Sequence, residues 1–204
     1  MPLSKISATG CCGRIEYNLF VNEINSGVVR PGTVDRGAQA PREITIRPAA
    51  ADDLDFLIES YASTRREEMQ SWGWPSQQQE QFLRMQFNAR RGGYAATYPL
   101  ASEGIVLAAG NPVGSIIINR NESEIRLVDI SILTEYRAQG IGTFLISRLI
   151  QESVESKHAL RLSVFHNNRA IRLYFRLGFA VKSSDAMYSE MEYNETTSED
   201  APAQ

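Results

Sequence analysis

The segment RLVDISILTEYRAQGIGTFLI, Arg126 to Ile146, decides the reading of this chain. Its first half is apolar and rich in branched residues, the pattern of a strand. Its second half runs into a stretch with Ile141, Leu145 and Leu149 on one stripe and Ile146, Ile150 and Val154 on another. This predicts a helix over about 139–156, covered on much of its surface. Between strand and helix lies the loop Arg137-Ala138-Gln139-Gly140-Ile141-Gly142. The first turn of a helix leaves about four N–H groups without intrahelical partners and carries about half a positive charge. Two residues without side chains let an anion approach that backbone, and Arg137 adds a charged donor. A dinucleotide fingerprint needs a third glycine where Leu145 stands, and a Walker loop needs Gly-Lys-Ser/Thr. Neither pattern is met. Taken alone, the two glycines are equally those of a tight turn.

Outward from this segment, strands alternate with helices. Upstream, runs at 104–109, 113–119 and 124–133 read as strands, separated by Gly110-Asn111-Pro112 and Asn121-Glu122-Ser123. Connections this short favour antiparallel pairing. Further upstream, Ile44 and Ile46 give a strand stopped by Pro48. Asp52 is the expected N-cap of a helix carrying Leu54, Leu57, Ile58 and Tyr61. After a break at SWGWP, Pro75 opens a second helix with Phe82, Met85 and Phe87, expected to end near Gly92 and Gly93. Downstream come a strand at 160–165, a helix from Asn168 to Leu177 stopped by Gly178, and strands at 179–183 and 187–193. The expected class is α/β of the α+β type, with a mixed, mostly antiparallel sheet flanked by helices.

The chain has 204 residues, 43% of them hydrophobic, and a net charge of −3. One domain with a self-sufficient core fits this length. The charge gives no basic footprint, so no nucleic-acid partner is expected. No apolar run approaches the ~20 residues of a membrane span, and the amino end lacks a signal-peptide stretch. The two cysteines, Cys11 and Cys12, are adjacent, which argues against a disulfide framework and fits a reducing cytoplasm. Regular patterning covers 43–193. Residues 1–42 hold five of fourteen glycines and read as a flexible extension, and 194–204 as a disordered acidic tail.

A second segment, SVFHNNRAIRLYFRLGFAV, follows about 25 residues after the glycine loop. Asn167 stands at a strand end, where its amide is available to a ligand amide. Tyr174 lies one helical turn after Ala170, on the same face. Together the two segments resemble the GNAT superfamily of N-acetyltransferases. That family carries R/Q-x-x-G-x-G/A before its central helix, met by Arg137 to Gly142. It commonly shows N-x-x-A-x-x-L-Y-x-x-x-G-F further on, met at Asn167, Ala170, Leu173, Tyr174, Gly178 and Phe179. The resemblance covers about three quarters of the chain and leaves out 1–42.

The resemblance implies acetyl-CoA as cosubstrate and an amine as acceptor. It implies that the pyrophosphate lies on the backbone of Arg137, Ala138, Gln139, Gly140, Ile141, Gly142 and Thr143. The pantetheine arm would pair with the backbone around Ile132 and Leu133, and Asn167 would bond that arm. Tyr174 matches the position of the acid that protonates the departing thiolate. A backbone N–H near Ile132 would stabilise the oxyanion. The amine must lose a proton before it attacks, which calls for a base. Asp129, a carboxylate within an apolar strand, is a candidate, and so is Glu124. Asp129 is equally read as the partner of a neighbouring Arg such as Arg120. Glu67 and Glu68 are candidates for holding a cationic acceptor, or a solvated helix face. Tyr61, Trp72, Trp74, Tyr94 and Tyr98 form either an acceptor slot or ordinary packing. His158 and His166 read as packing or surface residues, and no metal constellation is visible. The acceptor is expected to be a primary amine of a small molecule or peptide, and the chain a monomer or homodimer. A module that binds acetyl-CoA or a partner without turnover, docking through 1–42, stays open as the alternative.

Overall fold

The computed structural model describes residues 43–66, 69 and 72–194. The extension 1–42 with both cysteines, Glu67, Glu68 and the tail from 195 lie outside the described residues. The elements are β1 (Ile44–Pro48), α1 (Leu54–Ser63), α2 (Ser76–Thr97), β2 (Ser102–Ala108), β3 (Asn111–Arg120), β4 (Glu124–Ile132), α3 (Ile141–Ser156), β5 (Ala159–Phe165), α4 (Ile171–Arg176), β6 (Phe179–Ser184) and β7 (Tyr188–Tyr193). The strands form one sheet in the order β1-β2-β3-β4-β5-β7-β6. Only β4 and β5 run parallel. Helix α3 is the crossover that parallel pairing demands, and it buries Ile141, Leu145, Ile146 and Leu149. Helices α1 and α2 bury Leu57, Ile58, Tyr61, Leu83 and Phe87 in one cluster with Met69 and with Ile105 of β2. Among the described residues no helix is long and apolar enough to cross a membrane.

Two irregularities of β4 shape everything that follows. Ile118 of β3 faces Leu127, whereas the preceding Ile117 faces Asp129, so Val128 is an extra residue. Such a bulge shifts the strand's alternation by one. Arg126 and Asp129 therefore share a face, and both meet α2: Asp129 pairs with Arg90, and Arg126 lies over the Tyr98 ring at its end. The second irregularity is a parting of strands. β4 pairs with β5 only over Glu124–Leu127, opposite Ala159–Leu162. From Val128 onward β4 keeps β3 on one side and, among the described residues, has no strand on the other. At the far end of this ladder Gly114 is required, since a Cβ there would lie 2.2 Å from the Ser131 carbonyl oxygen.

Four local expectations are corrected. Helix α2 does not stop at Gly92 and Gly93 but runs on to Thr97. Two interior glycines cost about 2 kcal/mol of helix propensity, and contacts of Tyr94 on Arg90 and Tyr98 on Arg126 hold the last turns down. The residue that organises the start of α1 is Asp53, not Asp52: it accepts the Ala50 N–H at 2.7 Å and both arms of Arg47 at 2.6 Å. The β2–β3 turn is the dipeptide Ala109-Gly110, with φ of 49° and 80°, and Asn111 and Pro112 already belong to β3. Helix α4 begins at Ile171 because Asn168 folds its side chain onto the Ala170 N–H and closes a separate turn.

Candidate active site

Where β4 ends, the chain turns through a short helical turn, Thr134–Tyr136, into α3. Ala138 (φ 58°) and Gly140 (φ 80°) take left-handed backbone, with Gln139 between them. Such alternation aims successive N–H groups into one concavity. The first intrahelical bond of α3 is Phe144 N–H to Gly140 C=O at 2.9 Å. The N–H groups of Ile141, Gly142 and Thr143 thus precede the ladder. A Cβ at Gly140 would meet nothing within 4 Å, so the concavity is open there, while one at Gly142 would touch Leu173 of α4 at 3.6 Å. Gly142 is therefore where α3 and α4 meet.

The parted stretch of β4 supplies backbone groups of its own. Leu133 donates to the Val113 carbonyl at 2.9 Å, which makes Gly114–Ile132 a pair that does not exchange bonds. The N–H and C=O of Ile132, and by alternation those of Ile130, thus face away from β3. The Ile132 carbonyl accepts Arg137 Nε at 2.9 Å. Leu133 has both backbone groups engaged, its carbonyl accepting the Tyr136 N–H. Asn167 lies exposed in the turn after β5 and, among the described residues, its amide forms no hydrogen bond. Ile132 thus has backbone groups directed away from β3, whereas Leu133 is tied into the β3–β4 ladder.

Asp129 lies in the stretch of β4 that has parted from β5. Its partner is Arg90 of α2, and Arg120 pairs instead with Glu152 of α3 at 2.5 Å. The Arg90 guanidinium lies between two rings, 5.3 Å from the Tyr61 centroid and 5.2 Å from that of Tyr94, and Nε donates to the Tyr94 hydroxyl at 2.9 Å. Burial pushes the Asp129 carboxyl above its usual range, against the opposing pull of Arg90 and the Ile130 N–H. Tyr174 is buried, with its ring 5.8 Å from that of Phe179. Burial, and then the charge of Asp129, push its hydroxyl up to about 12. Tyr174 is thus fully protonated at neutral pH and close enough to Asp129 to feel its charge.

Glu124 has a different environment. Burial raises it, but bonds from Arg126 and Arg161 prevail and hold it below the usual range. Arg126 also binds Glu190 at 2.6 Å, and Arg161 reaches Glu192, which in turn holds Lys182. These ions lace β4, β5, β7 and β6 together. The aromatic residues divide three ways: Tyr61 and Tyr94 clamp Arg90, Tyr98 stacks on Arg126, and Trp72 and Trp74 pack edge-on with Phe82. His166 bonds Ser184 on the surface at 3.0 Å, and the His158 carbonyl accepts from Ser153. A cleft of about 550 Å³ opens among Tyr98, Arg126, Ser163, Asp185, Tyr188 and Glu190. Among the described residues no group of three or more His, Cys, Asp or Glu is placed to hold a metal ion.

The model of the acetyltransferase (GNAT) family matches residues 59–179, more than half of the chain. The chain belongs to the GNAT acetyltransferase family. Solved structures share this GNAT fold. The PaiA N-acetyltransferase of Thermoplasma acidophilum, crystallised with coenzyme A, is 19% identical, covers 74% of this chain and 99% of its own, and superposes with a TM-score of 0.56. A Pyrococcus horikoshii protein is 16% identical over 74% of this chain and 98% of its own, with a TM-score of 0.55. A GCN5-related N-acetyltransferase of Rhodopseudomonas palustris is 16% identical over 79% of this chain and all of its own, with a TM-score of 0.53. No curated protein matches the sequence. The seven-stranded mixed sheet flanked by helices is the GNAT architecture expected from the two motifs.

Sequence reasoning missed Arg90. It lies in a helix with many Gln and Arg residues, and the one available signal was Tyr94, four residues on and so on the same face. It also missed the contribution of the β6–β7 hairpin to the cleft. Asp185 accepts the N–H groups of Met187 and Tyr188 at 2.7 Å and thereby turns Tyr188 toward β5, against Phe165.

Proposed function

We propose that this GNAT protein moves the acetyl group of acetyl-CoA to a primary amine of a small molecule or peptide by direct attack. The observation that carries the reading is the parting of β4 from β5 directly before the Arg137–Thr143 concavity. An unpaired stretch of strand is a template for a ligand that carries amides, as the pantetheine arm does. A helix N-terminus with open N–H groups suits a pyrophosphate. In this reading the pyrophosphate rests on the backbone of Arg137, Ala138, Gln139, Gly140, Ile141, Gly142 and Thr143. The arm runs along Val128–Ile132 and meets the Asn167 amide, with Leu133 contributing through its side chain.

The acceptor enters from the α2 side, where the cleft is of the size usual for small-molecule sites. The ammonium gives a proton to Asp129, directly or through water, and the freed amine attacks the thioester carbonyl. The Ile132 N–H steadies the oxyanion. The tetrahedral intermediate then expels the thiolate, which takes a proton from Tyr174, and the acetylated nitrogen gives up its extra proton to restore the Tyr174 hydroxyl. A hydroxyl held near 12 still carries its proton when the thiolate departs. The Asp129–Arg90 pair favours a second reading, an acetyl-CoA-binding module without turnover, because a carboxylate engaged by Arg90 must exchange that contact to act. Amine-dependent release of CoA thiol decides between the two. Release with at least one of a broad panel of primary amines supports the enzyme; binding of acetyl-CoA with no release above hydrolysis supports the module.

A further inference from the structure

We propose that Arg90 is a positioning residue for the reaction: clamped between Tyr61 and Tyr94, its guanidinium keeps the Asp129 carboxylate ionised and aimed at the acceptor. The inference rests on the reading of Asp129 as the proton acceptor. A carboxylate set in an apolar strand and covered by two helices tends to protonate, and a protonated carboxyl cannot take the ammonium's proton. The guanidinium of Arg90 opposes this. Arg90 reaches Asp129 from 39 positions earlier in the chain, and three separate contacts fix it there: the Tyr61 face, the Tyr94 face and the Tyr94 hydroxyl. A guanidinium fixed by two rings and a hydroxyl is a poor mobile substrate anchor and a good fixed counter-charge.

The other ionisable groups around Asp129 do not replace it. Burial raises the hydroxyls of Tyr94 of α2 and Tyr174 of α4, so both stay neutral and carry no counter-charge. Arg91 of α2 and Glu103 of β2 line the same small hollow but pair with each other at 3.0 Å. Removing the guanidinium therefore leaves the carboxyl with its burial and without its counter-charge. Its ionisation then moves to higher pH, and the acidic limb of the rate profile moves upward with it.

The full chain labelled with 13C at the aspartate side-chain carboxyl tests this without any acceptor. Asp129→Asn assigns the Asp129 signal, and NMR follows its titration in the wild type, Arg90→Met, Arg90→Gln and Arg90→Lys. The expected result is a midpoint raised by about one pH unit or more in the Met and Gln variants. In the Lys variant, which restores a cation, it returns to within about half a unit of wild type. An unchanged midpoint in folded Arg90→Met or Arg90→Gln overturns the proposal, and so does an Arg90→Lys midpoint as high as theirs. The reading beneath is tested separately by acetyl transfer: wild-type turnover in Asp129→Asn removes Asp129 as base even where the NMR shift is found.

Discussion

The two halves of β4 are built on opposite principles. Over Glu124–Leu127 the strand is paired on both edges, and its charged side chains are tied into the Arg126–Glu124–Arg161–Glu192–Lys182 lattice. Over Val128–Ile132 it keeps one neighbour, bulges once and leaves backbone groups on its other edge. An unpaired edge in the middle of a sheet is a cost that a folded chain does not carry without use, since buried N–H and C=O groups need partners. The closed half anchors the sheet; in the proposed function the open half is where a ligand becomes the missing strand. On that reading, stability and chemistry are given to separate stretches of one nine-residue element.

The largest expected effects fall on the residues proposed to act together with the open half. Tyr174→Phe should lower turnover about 100-fold, in the range of general-acid contributions, while acetyl-CoA affinity stays near wild type. Steady-state rates alongside calorimetric binding check it, and undiminished turnover with acyl transfer rate-limiting breaks the assignment. Next comes Gly140→Asp, which sets a carboxylate at the N-terminus of α3. Acetyl-CoA should bind about ten-fold more weakly, or about 1.4 kcal/mol, with the protein still folded apart from about 1 kcal/mol of left-handed strain. A thermal-shift titration that matches wild type would show the concavity is not the anion site.

The closed half should respond in the reverse sense. Arg161→Met leaves Glu124 and Glu192 each short of a partner and should cost about 1 kcal/mol, a fall in melting temperature of about 2–4 °C. If the rate falls further than the stability, the halves are not independent. The smallest effect lies outside β4. Arg47, then the Ala50 N–H, hold the Asp53 carboxyl down to about 2. A depressed pKa stabilises the fold above the unfolded value near 4, and that contribution is lost as pH falls toward 2. Asp53→Asn should therefore be less stable than wild type at pH 7 and equal to it near pH 2. A difference that persists in acid would assign the effect to geometry rather than charge.

Much of this was legible in the residues because it is local. The Arg137–Gly142 loop needs only a strand, two glycines and a helical stripe in succession. Tyr174 is fixed relative to Ala170 by helical spacing. Gly178 is a stop in left-handed backbone, at φ 92°. Two local signals misled: Gly92-Gly93 looks like a helix end, and Asp52 like a cap. In both cases a contact from elsewhere won, through Tyr94 and Tyr98 in the first and Arg47 in the second.

What the sequence by itself determined is the order of elements and the backbone chemistry of the strand–loop–helix junction, because each follows from periodicities and turn residues within a few positions; the family was legible as the resemblance of two motifs. What only the tertiary structure decided is the company of Asp129. The strand pattern places a carboxylate there but does not say what faces it. Arg90 comes from a helix 39 positions away, Tyr61 from another, and the Val128 bulge swings Asp129 onto their side. Charge and burial at that atom are sums over neighbours that are remote in the chain, so the ionisation of Asp129 is a property of the fold.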